Sequence, residues 1–125
     1  MNVQIQSAEI AENMSYFDGT YSIDGETPTS GYVVAFPAFT ETYSDDLDYH
    51  TVLDIVWKFI LKHWGTVQSN SALYFGRWLD KESDEKTVYL DIVMVIKDRD
   101  KAIECAQSLH EIAIYDLDND CEIRV

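Results

Sequence analysis

An α+β fold built on an antiparallel sheet is predicted by three features of this chain. The first is the stretch Ala72 to Asp98. There Leu73, Phe75, Arg77 and Leu79 alternate with Tyr74, Gly76 and Trp78. Further on, Val88, Leu90, Ile92, Met94 and Ile96 alternate with Tyr89, Asp91, Val93 and Val95. Period-two alternation rich in β-branched and aromatic residues is the signature of strands, here a long hairpin. Lys81 to Lys86 carries no apolar residue and forms its exposed tip. The other two features are helical patterns, one on each side of the hairpin.

The first helix is expected from about Leu47 to Trp64, with Gly65 as its stop. Ser44, Asp45 and Asp46 are cap candidates placed at the positive end of its dipole. Val52, Ile55, Val56, Phe59, Ile60 and His63 make one stripe at helical spacing, and Leu53, Trp57, Leu61 and Trp64 a second beside it. Together they cover roughly two-thirds of the helix circumference. One sheet face cannot bury that much, so either the N-terminal segment or another protein must cover Trp57 and Trp64. Asp98 caps a second helix, Arg99 to about Glu111, whose Ala102, Cys105, Ala106 and Leu109 face inward.

Strands complete the pattern. Gly31 to Phe36 reads as a strand that Pro37 ends, bulges or confines to an edge, and Ala38 to Tyr43 continues extended. Ile112 to Leu117 is a strand, Asp118 to Asp120 a turn, and Glu122 to Val125 a short closing strand. The order β-α-β-β-α-β is that of a ferredoxin-like split βαβ fold, with two helices on one face and an extra C-terminal strand. Residues 31–125 are read as this single domain. Residues 1–30 hold the turn dipeptides Asp18-Gly19 and Asp24-Gly25, and are read as an N-terminal arm or hairpin.

Charge bounds the function. The 125 residues carry 23 acids against nine bases, a net charge of −14. Residues 1–57 contain ten acids and no Lys or Arg, whereas residues 58–125 are nearly balanced. A field of one sign repels nucleic acid and anionic membranes and steers toward basic surfaces. No apolar run is long enough to span a membrane, and the N-terminus has neither the basic head nor the apolar run of a secretion signal. Two cysteines, Cys105 and Cys121, are expected to be reduced thiols in a cytoplasmic protein.

No nucleophile elbow, phosphate loop, CxxC or zinc spacing occurs, so a non-enzymatic protein without a cofactor is expected. The alternative is a small metal-binding protein or enzyme, using Asp46, His50 and Asp54 spaced at i±4 on the first helix. Asp116, Asp118, Asp120 and Glu122 lack the glycine and the distal glutamate of a calcium loop and read as a turn.

Two surfaces are candidate sites. Glu41, Asp45, Asp46, Asp48 and Asp54 gather acid around the first helix as a partner-binding surface. Tyr74, Trp78 and Tyr89 on the helix-free sheet face, with Trp57 and Trp64, form an aromatic patch for a partner or a homodimer. An aromatic face on this topology can stack RNA bases, but no basic RNP-type octapeptide is present and the net charge opposes phosphate.

Gly76 and Trp78, then Val88-Tyr89-Leu90-Asp91, then Ala113 to Leu117 resemble the shared pattern of small uncharacterised acidic proteins common on phages and plasmids. The likeness covers about half the chain, and that family implies no established activity. Its mobile-element setting implies an inhibitor that mimics nucleic acid and occupies a basic surface of a host defence protein.

Overall fold

The computed structural model describes residues 3–82 and 84–125; within the hairpin tip, Ser83 lies outside the described residues. The architecture is α+β: three helices and an open, antiparallel seven-stranded sheet. The strands are β1 (Gly19–Tyr21), β2 (Tyr32–Ala35), β3 (Glu41–Ser44), β4 (Leu73–Leu79), β5 (Thr87–Ile96), β6 (Ala113–Asp116) and β7 (Cys121–Arg124). They are ordered β1-β4-β5-β2-β6-β7, with β3 also on β5.

The hairpin is the axis of the sheet. β4 and β5 pair from Leu73↔Met94 to Leu79↔Val88, so Phe75 and Ile92 share a face with Leu90. The other edge of β5 is shared by two short strands: β2 takes Val93 to Ile96, and β3 takes Thr87 to Leu90. The interruption is Pro37. It has no N–H to give β5, and it opens a one-turn 3-10 helix, Pro37–Phe39, before the chain returns to pairing. Gly31 sits at φ +99°, where a Cβ would come 2.8 Å from Val95 Cγ1. Its N–H donates to Asp118 Oδ2 at 3.1 Å, tying the start of β2 to the β6–β7 turn. Asp116 accepts from the backbone N–H groups of Asp118 and Asn119, so this acidic stretch is a self-bonded turn.

The helices are α1 (Val3–Met14), α2 (Tyr49–Gln68) and α3 (Arg99–Ser108). Asp48, rather than Ser44 to Asp46, caps α2 by accepting from Thr51 N at 3.0 Å. The helix runs through Gly65 for another turn because Val67 is buried beyond it. Asp98 caps α3 as expected. His110 leaves that helix in a left-handed conformation (φ 60°), letting Glu111 N reach Ala106 O and end it three residues early. Phe59, Ile60, Phe75, Val88, Leu90 and Ile92 are buried between α2 and the sheet, while Ala102 and Ala106 let α3 close on Val34 and Ile114.

The N-terminal segment belongs to the same core. Ile10, Ala11 and Met14 of α1 are buried in the cluster that contains Phe59 and Phe75. Trp57 Nε1 donates to Ser7 Oγ at 2.9 Å, and Trp64 is 6% exposed and stacked on Phe75. Most of the wide apolar arc of α2 is therefore covered from within the chain: Trp64 is interior and Trp57 half-buried against α1, while Leu61 of the same stripe stays exposed. β1 forms no hairpin of its own but adds to the free edge of β4, Gly19↔Arg77 to Tyr21↔Phe75.

Candidate protein-binding surface

All three α-helices pack on one side of the sheet, and among the described residues no α-helix lies on the other. Because paired residues share a face, the register puts Tyr74, Gly76, Trp78, Tyr89, Asp91, Val93 and Val95 together on that open side. Val33 and Ala35 extend it across β2, and Tyr115 extends it across β6. Trp78 is 49% exposed, with its ring centroid 5.4 Å from that of Tyr89. Of the aromatic residues expected in one patch, Tyr74, Trp78 and Tyr89 are brought together here. Trp57 and Trp64 are on the opposite side, Trp57 bonded to α1 and Trp64 stacked on Phe75.

Asp91 stands in the middle of this face. It is half-buried, and its Oδ1 accepts from Thr40 Oγ1 at 2.5 Å. Burial pushes its carboxyl above the usual range, opposed by the Thr40 bond. Glu111 is pushed up as well, by burial first and then by the charge of Asp91.

The acidic residues separate into three environments. Asp45 and Asp46 line an open cleft of about 720 Å³ together with Asp84 and Glu85 of the hairpin tip; Lys86 is the one base among the described residues of its wall. Asp48 is occupied by capping, and Asp54 pairs with Lys58 at 2.9 Å, exposed on α2. Glu41 turns to the helix side, 3.5 Å from Lys62 Nζ and 3.8 Å from His63 Nε2. The cleft is at the same end of the sheet as the aromatic pair, since Ser44 pairs with Thr87 and Asp45 N donates to Lys86 O. Asp84 and Glu85 were not legible as part of this surface. Only the register of β3 on β5 joins them to Asp45 and Asp46.

His63 gives a pH signature. Burial is the main cause that holds its pKa below 6.5, helped by Lys62 and opposed by Glu41. The unfolded chain then takes up this proton first, so stability from His63 is complete above pH 6.5 and is lost as pH falls below it. Asp91 and Glu111 are shifted upward and act with the opposite sign. The expected result is therefore a difference: the stability of His63→Gln, relative to the parent, improves between neutral and acidic pH. Urea melts at a series of pH values check it, and parallel curves would contradict it.

Asp46, His50 and Asp54 do not converge. Asp46 accepts from Ser44 Oγ at 2.6 Å, Asp54 faces Lys58, and among the described residues no three His, Cys, Asp or Glu side chains are grouped to hold a metal. Cys105 and Cys121 are free thiols, and no described helix is long and apolar enough to cross a membrane. Compared with known proteins, the chain matches no family model, no curated protein and no solved structure.

Proposed function

We propose that this protein is a non-enzymatic binding domain whose helix-free sheet face receives a partner with a basic surface. The observation that carries the reading is the juxtaposition of Trp78 and Tyr89 with the acidic cleft of Asp45, Asp46, Asp84 and Glu85 at one end of the sheet. Aromatic anchors supply most of the energy in protein interfaces, while a charged rim sets encounter rate and excludes wrong partners. The reading takes a ferredoxin-like split βαβ scaffold for the domain. The run β6-β2-β5-β4, with α2 and α3 on one side, supports it.

The mobile-element pattern of the C-terminal half extends the proposal to an inhibitor that mimics nucleic acid and occupies a host defence protein in the cytoplasm. Immobilised full-length protein is expected to retain basic, nucleic-acid-binding proteins from host lysate at about 50 mM salt and to release them at about 500 mM, where the Debye length shrinks to a few ångströms. Trp78→Ala should weaken a retained partner by roughly 30-fold, the loss of a hot-spot residue. Asp45→Asn with Asp46→Asn should slow association and flatten the salt dependence. Retention of no basic partner at low salt would remove the proposal. Failure of duplex DNA to compete with a retained partner would remove the mimicry alone.

A further inference from the structure

Asp91 is an unusual occupant for the middle of a sheet face. It lies on the central strand, opposite Gly76, which has no side chain to shield or bond it. Thr40 is its hydrogen-bond donor, and none of the ion pairs among the described residues includes it. A partly desolvated carboxylate without a cation is costly, and a cation arriving from outside would relieve that cost. Tyr89 is two residues away on the same strand and face, about 7 Å along it. Trp78 is the cross-strand partner of Tyr89.

We propose that this face takes an arginine side chain of the partner, its guanidinium hydrogen-bonded to Asp91 and lying against the Trp78–Tyr89 pair. The inference rests on the binding reading above and names the chemistry at its centre. Guanidinium is planar and weakly hydrated, and it can bond a carboxylate at its edge while stacking on an aromatic face. Lysine offers a compact, strongly hydrated charge that does one of these well. A second copy of this chain is disfavoured as occupant, because it would bring Asp91 against Asp91 and one net charge of −14 against another. Glu111, whose carboxyl already responds to Asp91, adds negative potential beside the site.

The probe is a blocked arginine, N-acetyl-arginine methylamide. Its single charge cannot exploit several separated carboxylates at once. Titration into full-length protein is followed by the Trp78 indole N–H and the backbone N–H groups of Gly76 and Asp91. A saturable shift at these signals is expected in the millimolar range, the scale of a single contact. Asp91→Asn keeps the shape and an acceptor for Thr40, and should weaken binding about 5-fold or more. Trp78→Ala should weaken it about 3-fold or more, as loss of a cation–π contact does. Glu104→Gln, exposed on α3 on the far side of the sheet, should change it less than about 2-fold. Asp91→Asn should melt no lower than the parent, so lost binding cannot be ascribed to lost fold. Equal binding of the norleucine analogue would mean a merely apolar face, and equal binding of the lysine analogue a non-specific charge; either overturns the arginine site. Undiminished binding to Asp91→Asn also overturns it, whatever partner capture shows.

Discussion

Replacing Asp18 with alanine is expected to destabilise the protein by about 3 kcal/mol, the low end for breaking a buried ion pair. Arg77 points to the helix side of β4 with its side chain only 7% exposed, and its Nη1 donates to Asp18 Oδ1 at 2.6 Å. Its Nε is already buried without a partner. Burial pushes the Tyr43 phenol above its usual range, opposed by the same guanidinium, and no hydrogen bond of normal geometry joins the two. Without Asp18 the guanidinium would lose its paired carboxylate, leaving Asp45, which lines the same pocket without pairing to it, as the acid nearby. Asp18 also accepts from Leu79 N, so one loss removes two bonds.

The carboxylate itself is 42% exposed, and water can enter where it stood, which keeps the cost from being larger. A loss of this size should lower the melting temperature by roughly 10 °C in a domain of this length. The sign of the coupling is the sharper check. Arg77→Met fills the site without a charge, so the double variant with Asp18→Ala should be more stable than Asp18→Ala alone. A double variant that merely adds two losses would contradict the account.

Arg77 also marks where the sequence was legible and where it was not. Its place in the alternation with Leu73, Phe75 and Leu79 is correct, because the hairpin pattern repeats over enough residues for one face to be assigned. The two later helices and the strand after them were legible for the same reason. The partner of Arg77 was not, since Asp18 lies 59 residues away in a segment dominated by Gly, Ser, Thr and Asp.

β1 and the full length of α1 were left unfixed on similar grounds. β1 is three residues long, too short for a period, and α1 is weakly amphipathic because Ser7 and Ala11 stand at its buried positions. Small residues there bring α1 close to Trp57, which no hydropathy pattern announces. The excess apolar arc of α2 was the one legible sign that something had to lie over it. On the open face the aromatic set was readable from alternation alone. Its junction with the acidic cleft depended on β3 resuming beside β5 after the Pro37 turn, a fact of tertiary pairing.

Deleting residues 1–18 is expected to abolish cooperative folding rather than trim a dispensable arm. The deletion removes Ile10 and Met14 from the core, at about 1.5–3 kcal/mol for each large apolar side chain. It removes the Ser7 partner of Trp57 and the Asp18 partner of Arg77. It uncovers Trp57 and the apolar surface of α2 on which α1 packs. The sum approaches or exceeds the 5–15 kcal/mol that holds a typical domain folded. The truncated chain should therefore lose its sigmoidal thermal transition and sediment as a heterogeneous, self-associating species at micromolar concentration. The full-length protein has Trp64 buried and Trp57 half-buried from within and carries a net charge of −14. It should sediment as a monomer unless the helix-free face itself pairs. Trp78→Ala distinguishes that case, because it strips the most exposed aromatic ring of the face without touching the core. A truncated protein that melts cooperatively within a few degrees of the parent would restore residues 1–18 to the status of an arm.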